Sequence, residues 1–358
     1  MKYQNNEETT KKIAFVGAVT SCHNLYPIER IITLSTMFDK QQTQILVQHD
    51  EQAIDFLIQK GFNPIVYKNE KQLISELSRL SPDILIHDAG STELPLVDHL
   101  KTFIPTILHF DDFGDGGTAA NCVFQTLYQE KREKLLPHFL IGPSSYVVPK
   151  QLQAIQKTAN DSFDKPHIVV AIEGMDPDNT SYRVLRHLLQ LQIPIKISVI
   201  IQSSYAHDVD ELKLMALSRK NIKIIQKNNA FYELLGTADI VICGAKYTPY
   251  KVATIGIPCI VTCQDELDMQ HIFPTETNGF INLGLGKKLK QSLLQNAVME
   301  FLLHDARREH AVRKQLNIDL NRNNQYIQSL LKSFISSRTK STAFLVEEQA
   351  KKTSGMIQ

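Results

Sequence analysis

From Lys12 onward the chain alternates short β-branched apolar runs with stretches of helical periodicity. The series reads KIAFVG, PIERIITLSTMF, QILVQH, EQAIDFLIQKG, PIVYK, EKQLISELSRL, DILIHDA, LPLVDHLKTF and PTILHFDD. Strand and helix in turn predict a parallel sheet with right-handed crossovers and helices on both faces. Pro27 stands where a first-turn proline belongs, and Gly61 follows FLIQK as a helix-ending glycine does. PTILHFDD reads as the last well-formed strand of this unit.

After NCVFQTLY the alternation pauses in a polar, proline-punctuated stretch that connects two domains. A second α/β unit follows, with strands HIVVAIE, IKISVIIQ, IKIIQK, DIVICGA and CIVTCQ separated by helices SYRVLRHLLQLQ, VDELKLMALSRK, AFYELLGTA and YKVATIG. A leucine-lined helical run from Lys287 to about Phe334, broken near Asn317, is placed to cap the second domain and cross back to the first. The expected organisation is a flexible N-terminus over 1–11, a first domain over 12–148, a linker over 149–165, a second domain with C-terminal helices over 166–335, and a fraying tail over 336–358. Two such units face each other across a cleft at the C-terminal ends of their sheets, where open α/β folds bind ligands.

Composition narrows the function classes. The 358 residues suffice for two domains, and 43% hydrophobic with 22% charged residues is the balance of a folded globular protein. The 39 Lys+Arg against 38 Asp+Glu leave a net charge of +1, with no overall field to gather nucleic acid. No apolar run approaches the length of a membrane span and the start of the chain has no apolar signal core, so a cytoplasmic protein is expected. The five cysteines are odd in number, which suits buried thiols in a reducing compartment; Cys259 and Cys263 fall on the same side of one strand. Neither a metal nor a cofactor is expected. A Rossmann oxidoreductase is disfavoured because GAVTSCHN supplies one glycine and no G-x-G-x-x-G.

Several segments, in order, resemble a known family: HDAGSTELPLVDHLKTFIPTILHFDDFGDGGTAANCVFQTLY, HFLIGPSSYVVP, IEGMDPDNTSYRVLRHL, FYELLGTADIVICGAKYTPYKVATIGIPCIVTCQ and QHIFPTETNGFINLGLG. They are similar to the UDP-sugar hydrolases of pseudaminic acid biosynthesis and their spore-coat polysaccharide relatives, which resemble GT-B glycosyltransferases. The resemblance implies a GT-B-like fold of two Rossmann-like parallel-sheet domains. It also implies a nucleotide-activated sugar, or another anionic small molecule, as ligand, and partner enzymes of a glycan pathway.

The matching positions supply candidate site residues. In IEGMDPDNTSY, Gly174 ends a strand, while Asp176 and Asn179 are placed to cap the helix from Thr180 and leave amides for a phosphate; an ordinary turn is the alternative. The relatives carry a glycine pair there, and the first glycine is replaced by Glu173. In HFDDFGDGG, Asp111 and Asp112 point to opposite faces, so at most one faces a ligand; they read either as a metal-binding pair or, more commonly at a strand end, as loop-fixing carboxylates, with Asp88 a neighbouring strand-end candidate. The family's His-x-x-Arg turn aligns with Arg30 but puts Pro27 at the histidine. That leaves His23 or Asp112 as the base if water is the nucleophile. Lys251 stands on the helix where GT-B relatives use a glutamate to accept two ribose hydroxyls, and an ammonium offers only donors. Lys246 and Lys251 flank Gly244 and offer a local anion site, the alternative being solvated lysines. Gln270 and His271 match a sugar-contacting loop. Two functions stand: an enzyme acting on the glycosyl-phosphate bond of a nucleotide sugar by hydrolysis or transfer, and a non-catalytic GT-B-like binding or partner protein whose site has diverged.

Overall fold

The computed structural model describes residues 11–19, 24–128, 136–155, 165–217, 219–226 and 230–336. The extreme N-terminus, most of the linker and the tail beyond 336 lie outside the described residues. Two parallel sheets carry the architecture. The first contains β1 (Ile13–Gly17), β2 (Thr43–Gln48), β3 (Ile65–Tyr67), β4 (Ile84–Asp88), β5 (Thr106–Phe110), β6 (Cys122–Gln125) and β7 (Phe139–Ile141), in the order β3-β2-β1-β4-β5-β6-β7. The second contains β8 (His167–Ala171), β9 (Lys196–Ile200), β10 (Ile222–Ile225), β11 (Ile240–Gly244), β12 (Cys259–Cys263) and β13 (Phe280–Leu285), in the order β10-β9-β8-β11-β12-β13. In each sheet the winding reverses beside the first strand, between β1 and β4 and between β8 and β11. Such a reversal opens a crevice at the carboxyl ends of the strands.

Side-chain alternation explains why both faces are covered. Phe15, Ile86 and Leu108 pack with Ile28, Ile31 and Leu34 of the first helix (Tyr26–Ser35) on one face. Val16, Leu85 and Ile107 pack with Leu73, Leu77, Val97 and Leu100 on the other. Pro27 lies in the first turn of its helix, and Gly61 takes φ +81° just past the helix Glu51–Gln59, where a side chain would be strained. Cys259 and Cys263 join one core cluster while Ile260 joins another, as one-side pointing requires.

The first sheet does not end at β5: β6 and β7 extend it. They escaped the periodicity reading because β6 is reached from β5 through a 3-10 turn (Asp115–Thr118) instead of a helix, and β7 has three residues. The last helix, Asn323–Ser336, buries Ile327, Leu330, Leu331 and Phe334 in the core of the first domain. Both ends of the described chain therefore build one domain. Asn323 and Asn324 secure the crossing through hydrogen bonds with backbone groups of Pro143, Tyr146 and Val148.

Candidate functional site

The N-terminal end of the first helix points from the crevice of the first sheet toward the second domain, and its polar residues meet the ends of β8 and β11. Arg30 is fully buried. Its Nε and Nη2 donate to the two oxygens of Asp88 at 2.6 and 2.8 Å, and its Nη1 donates to Asp111 Oδ2 at 2.7 Å. Burial opposes the charge, but the two carboxylates outweigh it and hold the guanidinium pKa above its ordinary value. Asp111, at φ +49°, also accepts the Thr126 amide and, across the domain boundary, the hydroxyl of Tyr247 at 3.0 Å. Arg30 and Asp88 thus fasten the first helix to the ends of β4 and β5, with all three guanidinium nitrogens engaged.

Asp112 is equally committed. One oxygen accepts the amides of Thr92 and Gly114, and the other accepts the Thr92 hydroxyl and meets His109 Nδ1. Burial pushes this carboxyl up, yet the bonds from His109 and Thr92 outweigh it and leave it below the usual carboxylate range. Asp112 therefore straps two loops together. His23 lies outside the described residues.

One residue before Arg30, Glu29 faces the second domain. Lys251 Nζ donates to Glu29 Oε2 at 2.7 Å, and the hydroxyl of Tyr232 donates to the same carboxylate at 2.8 Å. The side chains are about a tenth exposed, 11% for Lys251 and 10% for Glu29, so this is a largely desolvated pair and not a solvated lysine. The ammonium also lies over the rings of Tyr232 and Tyr26, at 5.1 and 5.6 Å.

Glu173 points into the same space. Its carboxylate accepts the hydroxyl of Thr248, the first residue of the helix Thr248–Ile255, and the amide of Asn24 at 3.2 Å. A protein carboxylate thereby stands at a helix N-terminus, where the helix dipole favours negative charge. The Glu173 carbonyl accepts Gln264 Nε2 at 2.5 Å, and the Gly174 amide donates to Gln202 at 2.8 Å. Gly244 closes β11 beside them; a Cβ there would lie 3.7 Å from both Gln264 Nε2 and the Glu173 amide.

At the neighbouring helix Thr180–Leu188, Asp176 takes the amides of Thr180 and Ser181, each at 2.7 Å. Asn179 instead accepts the hydroxyl of Tyr205 at 2.5 Å. Burial raises the Asp176 carboxyl despite the amides that pull it down. On the far side, Lys246 Nζ is 4.0 Å from Asp268 Oδ1, whose carboxyl burial pushes up to about 6 against the pull of that lysine. His271 is buried edge-on against Tyr128 of the first domain, with neither ring nitrogen hydrogen-bonded, and its pKa falls to about 3 through burial and then Lys246. Gln270 is exposed.

Between these groups lies a cavity of about 80 Å³ lined by Asn24, Glu29, Glu173, Tyr232, Thr248 and Lys251. Drug-sized ligands occupy about 300–1,000 Å³. A cavity of this size holds a few atoms. Glu29, Tyr232, Tyr247 and Gln264 were not legible as site residues; the one signal for Glu29 was its place next to Arg30. No cluster of three or more His, Cys, Asp or Glu fit to hold a metal is present among the described residues.

No family model matches the chain. It is 22% identical over 249 residues to an uncharacterized protein of Methanocaldococcus jannaschii, covering 65% of this chain and about half (51%) of that one. It is 22% identical to the spore coat polysaccharide biosynthesis protein SpsG of Bacillus subtilis, over 71% of this chain and 78% of SpsG. HepE of Anabaena, solved in complex with UDP and glucose, superposes with a TM-score of 0.63 at 12% identity, covering 90% of this chain and 100% of HepE. The fold is GT-B. In this GT-B chain the interdomain cavity occupies the crevice where both sheets present their carboxyl ends, and among the described residues no helix is long and apolar enough to cross a membrane.

Proposed function

We propose that this protein processes a nucleotide-activated sugar in glycan biosynthesis, binding it in the interdomain crevice after the domains part. The observation that carries the reading is the convergence on one cavity of Asn24 and Glu29 from the first domain with Glu173, Tyr232, Thr248 and Lys251 from the second. A GT-B scaffold, the similarity to SpsG and the superposition on a UDP-bound HepE support the ligand class. The reaction breaks the glycosyl-phosphate bond, by transfer of the sugar or by hydrolysis. In the reaction Lys251 and Lys246 carry positive charge for the departing diphosphate, and the helix N-terminus at Thr248 adds its amides once Glu173 swings out.

A specific observation favours a second reading, a binding protein without turnover. The ammonium, the guanidinium and one helix N-terminus of the crevice are already matched by Glu29, by Asp88 with Asp111, and by Glu173. Calorimetric titration with UDP, CMP, CDP and representative nucleotide sugars separates the two. Glu29→Gln releases Lys251 and should raise nucleotide affinity about tenfold or more, equivalent to ~1.4 kcal/mol of relieved pairing. Nucleotide binding by neither the native protein nor Glu29→Gln would end the nucleotide-sugar reading.

A further inference from the structure

A second concave site lies at the opposite end of the second sheet, away from the crevice. Its volume is about 650 Å³, within the range of small-molecule pockets, and it is lined by Lys165, His167, Lys196, Lys220 and Lys223 with Pro194, Ile195 and Asn221. No acidic residue among the described residues lines it. Topology brings the lysines together. β8, β9 and β10 are adjacent, His167 is paired with Lys196, and Lys223 is paired with Ser198. Side-chain alternation puts His167, Lys196, Ser198 and Lys223 on one face at the strands' N-terminal ends. Lys165 and Lys220 join from the segments that precede β8 and β10.

None of the four lysines has an ion-pair partner among the described residues. Asp239 accepts the His167 amide through its Oδ2 at 2.8 Å. His167 itself stays neutral: its ring nitrogens face Thr237 and Ser198, and burial followed by the charge of Lys196 lowers its pKa to about 4. A lysine on an edge strand such as β10 is ordinarily explained as protection against strand pairing. That accounts for Lys223, but not for three further ammonium groups around one concavity.

We propose that this groove is a binding site for a compact polyanion carrying several phosphate charges, such as an oligophosphate or the phosphate-bearing end of a glycan carrier. Like charges at this spacing repel one another in the free protein, and a multivalent anion relieves the repulsion at all four positions at once. Concavity favours a ligand that enters the groove over a flat membrane surface. The site shares no residue with the crevice, so it stands or falls independently of the function proposed there.

The test is calorimetric titration of the full chain with inorganic tripolyphosphate at low ionic strength, against the double variants Lys196→Glu/Lys223→Glu and Lys165→Glu/Lys220→Glu. A control, Lys68→Glu/Lys71→Glu, changes net charge equally on the first domain. The expected result is binding that weakens about tenfold or more in each groove variant, is unchanged in the control, and fades as salt rises. Lys165 and Lys220 lie in exposed segments, so that pair keeps the test valid if Lys196→Glu unsettles the sheet. Absence of tripolyphosphate binding, or equal loss in the control, would overturn the proposal. So would cosedimentation with phosphatidylglycerol vesicles by a protein that ignores tripolyphosphate, because a membrane surface would then be the partner.

Discussion

Glu29 and Lys251 form the ion pair that most directly joins the two domains, and their coupling can be measured. At 2.7 Å and an effective dielectric of about 20, the gross attraction is about 6 kcal/mol. Desolvation of both groups and the ordering of two long side chains offset most of it, leaving a net coupling of ~1–3 kcal/mol for a pair that is about nine-tenths buried. A double-mutant cycle isolates this value. Glu29→Gln keeps an acceptor for the Tyr232 hydroxyl, and Lys251→Met keeps an apolar stem over the rings of Tyr26 and Tyr232. Each single variant should lose ~2–3 kcal/mol in urea unfolding, and the double variant little more than either. The chain has 11 tyrosines and no tryptophan, so tyrosine fluorescence serves as the probe. Lys251→Glu should lose a further ~1–2 kcal/mol through repulsion from Glu29 and increase the radius of gyration in small-angle scattering. A coupling under ~0.5 kcal/mol, or a Lys251→Glu protein as compact as the native one, would refute the view that this pair holds the crevice shut.

Three further outcomes follow from the same geometry. Arg30→Lys should destabilise the first domain by ~3–5 kcal/mol in thermal or urea unfolding, because an ammonium cannot reproduce the two-pronged contact with Asp88 while also reaching Asp111. Burial holds His87 and His271 down to about 3 and His167 to about 4, so all three are neutral in the fold and take up protons on unfolding below about pH 6.5. Their stabilising neutrality is fully present above that value and is lost as pH falls toward the folded pKa values. Asp268, raised to about 6, acts in the opposite direction by binding a proton in the fold first. These four groups together should contribute a slope of about 2–3 kcal/mol per pH unit between pH 6 and 5, and His271→Gln should reduce the slope by ~1.4, which urea unfolding at each pH measures. Gly279→Ala should cost ~2–4 kcal/mol, since Gly279 has φ +86° and an added Cβ would lie 2.2 Å from the Ala311 carbonyl; an unchanged melting temperature would contradict this.

What the sequence disclosed and what it withheld have different physical origins. Parallel strands buried on both faces read as continuous apolar runs, and the helices between them keep one apolar stripe, so β1 to β5 and β8 to β12 stood out. β6 and β7 did not, because no helix separates β6 from β5 and three residues of strand carry no period. The site was harder for a different reason. Asp88, Asp111 and Arg30 were visible as polar residues at strand ends and a helix start, yet whether they serve a ligand or one another depends on partners 58 and 81 residues apart. Glu29 is the clearest case: within its helix it is an ordinary acidic residue in the first turn, and its meaning comes from Lys251, 222 residues away. A lysine where the resemblance to GT-B glycosyltransferases implies a glutamate looked like a lost ribose contact when read on one helix alone. With Glu29 opposite, a carboxylate of the first domain meets Lys251 in the crevice, and the charge between the two helices is balanced by the protein itself. On the proposed function, a ligand binds by replacing Glu29 at Lys251 and Glu173 at Thr248, so affinity depends on the free energy of parting the domains as much as on the contacts that follow. Relieving either carboxylate should therefore strengthen anion binding and weaken the fold together, a correlation that a pocket formed ahead of its ligand would not produce.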